Sequence, residues 1–181
     1  VSLVASPDCD GRRVGAGVDV LVVHGISLPP GEFGGPWIEA LFTNTLDATA
    51  HPYFAEIKDL RVSAHAVIRR TGEIVQYVPF QRRAWHAGQS CFDGRERCND
   101  FSIGIELEGC DDQPYTDAQY VTLAETARAI MAAYPAITVS RIVGHSDIAP
   151  GRKTDPGSAF VWQHLHAVLL DVEDRIDHGI S

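Results

Sequence analysis

The run Val18–Val23, Val-Asp-Val-Leu-Val-Val, constrains the fold more than any other stretch of this chain. Five of its six residues are apolar and four are valine, and His24 follows directly. Branched side chains are stiff at χ1 and pack well on a pleated surface, so the run predicts a strand covered on both faces with an imidazole at its tip. Such a strand needs layers on either side of its sheet, and the composition supplies them. Hydrophobic residues make up 45% of the 181 residues and charged residues 22%, close to the globular average. That excludes wholesale disorder and a fibrous repeat, and it fits one domain spanning residues 1–181. Glycine and proline punctuate the chain without marking a linker, and no internal repeat is visible.

The remaining elements alternate between strands and helices. Trp37–Phe42 has the spacing of a short helix after a loop rich in Gly and Pro, Ser27–Pro36. Leu60–Arg70 and Glu73–Val78 read as two strands around a Thr71-Gly72 turn. Phe101–Glu108 alternates, which places Ile103, Ile105 and Leu107 on one face and Gly104, Glu106 and Glu108 on the other. The clearest helix is Asp117–Tyr134, with Thr116 and Gln119 forming a capping box and Pro135 stopping it. Its stripe of Tyr120, Leu123, Ala124, Ala127, Ile130, Met131 and Tyr134 predicts a core face. Arg141–Gly144 reads as a short strand leading to His145, and Phe160–Leu170 as a second amphipathic helix. The fold class expected is α/β, a central mixed β-sheet flanked by helices.

Charge and cysteine content narrow the partners. Fifteen basic against 24 acidic residues give a formal charge of −9, which repels a phosphate backbone and argues against nucleic acid. Arg69, Arg70, Arg82, Arg83, Arg95 and Arg97 cluster mildly, as expected of a solvated loop face. A domain of this length does not need disulfide staples, so the four cysteines are expected as free thiols. No apolar run approaches the ~20 residues of a membrane-spanning helix, and Val1–Gly17 lacks the profile of a secretory signal. A soluble, cytoplasmic protein with no membrane partner is the expectation.

Two histidines, His24 and His145, each follow an apolar strand, and Asp155 lies ten residues beyond the second. Two imidazoles and one carboxylate form a catalytic zinc set, which leaves a position for water and lowers its pKa to about 7. Spacing alone is weak evidence for it, since a chain with eight His brings such a set together by chance, and two hydrogen-bonded histidines at strand ends are the plainer reading. A thiol hydrolase using Cys91, Cys98 or Cys110 has no support in the residues around them.

The stretches LVVHGISLPPGEFGGPW, HPYFAEIKDLRVSAHAVIRRTGEIVQYVPF, RAWHAG, GRERCNDFSIGIELEG, YTDAQY and GHSDIAPGRKTDPG together cover most of the chain. This set resembles the zinc N-acetylmuramoyl-L-alanine amidases, a group that includes phage lysozyme-type amidases and the peptidoglycan recognition proteins. Within that group it is most similar to the cytoplasmic enzymes that act on 1,6-anhydro-muropeptides. The resemblance implies the same mixed sheet with flanking helices. It also implies one zinc ion per chain on His24, His145 and Asp155, with Glu106 and Lys153 as the catalytic pair. Glu106 would serve as general base and then acid, and Lys153 would face the oxyanion of the tetrahedral intermediate. Tyr53 matches a tyrosine near the family's active site, Trp85 offers a platform for a sugar, and Arg61 and Arg97 could pair with peptide carboxylates.

The activity implied is hydrolysis of the amide between the lactyl group of anhydro-N-acetylmuramic acid and L-alanine during peptidoglycan recycling, with an influence on β-lactamase induction. A monomer is expected. An exported amidase acting on intact peptidoglycan and a non-catalytic peptidoglycan-binding module are the alternatives. The module is disfavoured because all three ligand candidates are present. His65 and His86 fall in matched stretches and are expected to be structural or to line the substrate site. One departure stands out: Gly25 follows the first ligand where relatives usually carry Asn, which puts affinity or sugar selectivity in doubt.

Overall fold

The computed structural model describes residues 1–170; residues 171–181 of the expected domain lie outside the described residues. The strands are β1 (Ser2–Leu3), β2 (Cys9–Gly11), β3 (Val20–Ile26), β4 (Ala66–Ile68), β5 (Ile74–Gln76), β6 (Arg82–Ala84), β7 (Cys91–Phe92), β8 (Arg95–Glu96), β9 (Ser102–Glu108) and β10 (Ile142–Gly144). The helices are α1 (Trp37–Phe42), α2 (Pro52–Ile57), α3 (Asp117–Ala133), α4 (His145–Ile148) and α5 (Trp162–Leu170). Six strands form a mixed sheet in the order β1-β5-β4-β9-β3-β10, while β2 pairs with β6 and β7 with β8. Within the large sheet only β4 and β5 run antiparallel; the other neighbours are parallel.

The two apolar layers follow from strand alternation. Leu21, Val23, Ile103, Ile105, Leu107, Ala66 and Ile68 project from one face onto Leu123, Ala127 and Ile130 of α3 and Leu165 and Leu169 of α5. On the opposite face Val67 and Val75 meet Ile38, Leu41 and Phe42 of α1 and Phe54 of α2, while Val20 and Val22 meet Ala87, Cys98, Phe101 and Ile148. Both faces of β3 and β9 are therefore covered, as the valine run predicts.

The capping box of α3 forms as read. Gln119 N donates to Thr116 Oγ1 at 3.2 Å, and Thr116 N donates to Gln119 Oε1 at 3.1 Å. The buried Gln119 amide also donates to the carbonyls of Ile68 and Glu108, tying the helix start to the sheet. Because Thr116 Oγ1 further donates to the Arg70 carbonyl, Thr116→Ala is expected to cost about 1 kcal/mol, the usual value of a lost cap. Urea unfolding of the variant measures this; an unchanged midpoint would mean that the cap contributes nothing here.

Four expectations are corrected in detail. The hairpin is shorter than Leu60–Arg70 and Glu73–Val78, because Ser63 N pairs with the Trp85 carbonyl and the His65 carbonyl takes both Tyr77 N and Val78 N, which ends the ladder. His24 is not at the tip of its strand, because β3 runs on to Ile26; His145 does follow β10 directly, as read, and opens the one-turn helix α4, where Asp147 Oδ2 accepts from Gly144 N at 2.7 Å. Helix α2 was not anticipated, although His51 caps it and Pro52 occupies its first turn. The arginine cluster is largely paired and not simply solvated. Arg83 bridges Asp10 and Asp100, Arg95 meets Asp19, and Arg69 meets the buried Glu108. The four cysteines are free, as expected.

Candidate active site

Register assembles the site. β3 pairs with β9 so that His24 is level with Glu106 and Val22 with Gly104, and β4 brings Val67 level with Glu106. β10 pairs Gly144 with Val23, so His145, one residue on, comes level with His24. Matched residues of parallel strands project from the same face, so Val67, Glu106 and His24 form a row across three strands, and His145 stands beside it as the residue that follows β10. The row lies toward the carboxyl ends of β3 and β9, where open sheets of this kind place their ligands.

Asp155 reaches the row from the loop that follows α4. Ser146 N donates to the Asp155 carbonyl, and the Arg152 guanidinium donates to the carbonyls of Ala87 and Gln89, which holds that loop against the neighbouring one. The result is a triangle of donor atoms. His24 Nδ1 and His145 Nδ1 are 2.9 Å apart, and Asp155 Oδ2 lies 3.3 Å from the first and 3.1 Å from the second. Hydrogen bonding assigns the His145 proton to Nε2, which donates to the Ala87 carbonyl at 3.2 Å, so its Nδ1 presents a lone pair. Burial lowers the His24 pKa to about 4 and keeps that ring neutral. Burial works against the Asp155 carboxylate, yet the two imidazoles beside it, His145 and His24, outweigh burial and hold the group well below the ordinary range.

These residues fit a metal. Two neutral imidazoles and a carboxylate are zinc's preferred donors, and tetrahedral bonds of ~2.0–2.1 Å place ligand atoms about 3.3 Å apart, close to the spacing of this triangle.

Beside the triangle, Glu106 and Glu108 occupy one face of β9 in different environments. Glu108 is a satisfied structural carboxylate, accepting from Gly34 N, Arg70 N and Arg69. Glu106 Oε2 is buried and has no hydrogen-bond partner among the described residues. Burial, and next the negative charge of Asp155, push the Glu106 pKa well above the carboxylate range, with Lys153 opposing. A carboxyl group so placed holds a proton more readily than an exposed carboxylate does, as a general base that must become an acid requires. Lys153 and Tyr53 line the same cleft of about 930 Å³, together with Glu106, His145 and Asp155.

The sequence matches the family model "N-acetylmuramoyl-L-alanine amidase" over residues 14–158, most of the chain. The chain belongs to the N-acetylmuramoyl-L-alanine amidase family. It is 62% identical over 172 residues to the 1,6-anhydro-N-acetylmuramyl-L-alanine amidase AmpD of Enterobacter cloacae, covering 95% of this chain and 91% of the relative. Its fold superposes on a crystal structure of an AmpD selenomethionine derivative with a TM-score of 0.91 at 62% identity, covering 93% of this chain and 94% of that one. A more distant neighbour is the AmiD amidase of Escherichia coli, solved in complex with the substrate anhydro-N-acetylmuramic acid-L-Ala-D-γ-Glu-L-Lys. It has a TM-score of 0.62 at 32% identity, covering 87% of this chain and 60% of AmiD.

In this amidase the softer candidates do not all converge on the cleft. Leu60, Val62 and Ser63 line it, but neither Arg61 nor Trp85 does. Arg61 is exposed and donates to the Lys58 and Leu60 carbonyls, and Trp85 N donates to Ser63 Oγ. Arg97 lines a second cleft of about 400 Å³ with Arg152 and Cys91, and pairs with Asp100 at 3.3 Å. Cys110 does line the first cleft, but burial, and next its hydrogen bond to Asp112, raise its pKa, which disfavours a thiolate nucleophile. At Gly25 a Cβ atom would run into the Tyr115 hydroxyl, which donates to the Pro156 carbonyl at 2.9 Å. The glycine at position 25 thus leaves space that Tyr115 fills. Sequence reasoning missed Tyr115 in this place, because YTDAQY marked only a helix start.

Proposed function

We propose that this amidase is a zinc-dependent, monomeric, single-domain cytoplasmic enzyme. Its reaction is hydrolysis of the amide between the lactyl group of 1,6-anhydro-N-acetylmuramic acid and L-alanine in muropeptides, a step of peptidoglycan recycling that bears on β-lactamase induction. The observation that carries the reading is the convergence of His24 Nδ1, His145 Nδ1 and Asp155 Oδ2 beside the partnerless Glu106 Oε2. The name of the Enterobacter cloacae relative and the substrate bound to AmiD support the anhydro-sugar. Among the described residues no helix is long and apolar enough to cross a membrane, and the charge of −9 speaks against nucleic acid.

His24, His145 and Asp155 would hold the zinc, which when bound supplies a Lewis acid and acidifies water. Glu106 Oε2 takes a proton from the attacking water and returns it to the alanine nitrogen as the C–N bond breaks, leaving the lactyl carboxylate and a free amine. Lys153, an exposed residue on the cleft wall, brings positive charge to the carbonyl oxygen as negative charge develops there. Tyr53 on the cleft wall orients the substrate. Trp85 for the sugar and the exposed Arg61 and Arg97 for carboxylates of the stem peptide complete the proposed contacts, all three standing outside the cleft that holds the triangle.

The test is mass spectrometry of products after incubating the zinc-loaded protein with anhydro-muramyl tripeptide and, separately, with intact peptidoglycan. Release of peptide from the anhydro substrate alone is expected, abolished by a chelator and unaffected by thiol alkylation. Equal release from both substrates would overturn the recycling assignment in favour of an envelope amidase. No release from either would favour a binding module, and loss on alkylation with resistance to chelator would overturn the metal mechanism.

A further inference from the structure

A continuous hydrogen-bond chain runs behind the site and ends on His24. It begins at the Cys98 carbonyl, in the single 3₁₀ turn that precedes β9. Ser102 Oγ donates to that carbonyl at 2.6 Å, which uses its only proton. The hydroxyl oxygen is 3.1 Å from His86 Nε2, and since it has no proton left to give in that direction, His86 Nε2 must be the donor. His86 Nδ1 is then a bare acceptor. It lies 2.9 Å from His24 Nε2, which must therefore carry the His24 proton, and His24 Nδ1 is left as a lone pair aimed at His145 and Asp155. All the side chains of this chain are buried.

The fold makes room for the relay deliberately. Gly104 sits on the same face of β9 as Glu106, and a Cβ there would run into the His86 ring, so the ring can lie against the sheet only because position 104 has no side chain. The His86 and Ala87 backbone nitrogens both donate to Asn99 Oδ1, which fixes the loop that carries the ring.

We propose that His86 is a positioning residue, held by Ser102, that fixes His24 in the Nε2-protonated tautomer and so aims its Nδ1 lone pair at the ligand triangle. The proposal rests on the reading of His24 as a metal ligand for its consequence, but the tautomer itself can be observed without metal. A ligand imidazole whose second nitrogen is tied to a partner binds more tightly, and loss of such partners typically costs about 10- to 100-fold in metal affinity. His86 also forms part of the cleft wall, so activity alone would not separate positioning from substrate contact.

Two readouts test it. Long-range ¹H–¹⁵N correlation spectra of the metal-free protein should show both His24 and His86 protonated at Nε2; a proton on His86 Nδ1 would overturn the proposal. Zinc affinity, measured by competition with a chromophoric chelator, should fall about 10-fold or more in His86→Phe, which has no acceptor. It should stay within about threefold in His86→Asn, whose Oδ1 stands where Nδ1 was. Ser102→Ala, which touches neither the ligands nor the cleft, should allow His86 to populate the other tautomer and weaken zinc several-fold. Unchanged affinity in His86→Phe, or equal losses in His86→Phe and His86→Asn, would reduce His86 to packing. If the wild-type protein bound no zinc while the tautomers were as stated, the metal reading would fail and the positioning chain would stand.

Discussion

Asp155→Ala is expected to lose zinc during dialysis and to hydrolyse anhydro-muropeptide no faster than the background reaction. Asp155 Oδ2 is one corner of the three-atom triangle, and no other carboxylate belongs to that cluster among the described residues. Structural zinc sites supply ~10–16 kcal/mol, so one ligand's share corresponds to roughly 10²- to 10³-fold in affinity. Two neutral imidazoles with their Nδ1 atoms 2.9 Å apart repel unless a cation or proton lies between them, and Asp155 also accepts from Gly25 N. Metal content by elemental analysis, with product release in parallel, checks the prediction. Full zinc retention in the variant would remove Asp155 from the ligand set.

Glu106→Gln is expected to behave in the opposite way toward the metal. Glu106 is not a corner of the triangle, so zinc content should match the wild type while kcat falls about 10²- to 10⁴-fold, the usual worth of a positioned general base. Stability should hold or rise. The wild-type protein keeps a buried carboxylate oxygen without a partner, and burial already drives that group toward its neutral form, so a neutral amide relieves a cost carried for catalysis. Paired measurements of kcat and Tm test both halves. Wild-type turnover would exclude Glu106 from the mechanism, whereas a lower Tm with lost zinc would make it structural. Glu108 supplies the internal contrast, since three donors hold it and it has no route to the reaction.

Much of this was legible in the residues. The valine run, the alternation of Phe101–Glu108 and the capping box of Thr116 and Gln119 each specify a local geometry by sterics and hydrogen bonding alone; the last two form as read, and the first forms a strand shifted to Val20–Ile26. Less legible were features whose partners lie far away in sequence. The hairpin was drawn too long because the pairing of Ser63 with Trp85 leaves no periodic signature. The arginines looked solvated because their carboxylates are distant, as with Arg83, whose partner Asp10 is 73 residues away. His86 and Ser102 were similarly opaque, since a relay is a property of three-dimensional order and not of spacing.

By itself the sequence determined most of the elements and their polarity and offered His24, His145 and Asp155 as a possible ligand set, while the role of Glu106 came only from the family resemblance. Local sterics and side-chain period act between near neighbours, and a reader of one chain can follow them. Tertiary structure alone decided that parallel register puts Val67, Glu106 and His24 in one row with His145 beside it at the end of β10, and which of two equivalent-looking glutamates is free. It also decided which nitrogen of each imidazole carries the proton. Those outcomes depend on donors and acceptors brought within 3 Å or so from segments remote in sequence, where hydrogen-bond directionality and burial select one arrangement among several that the chain's residues alone would allow.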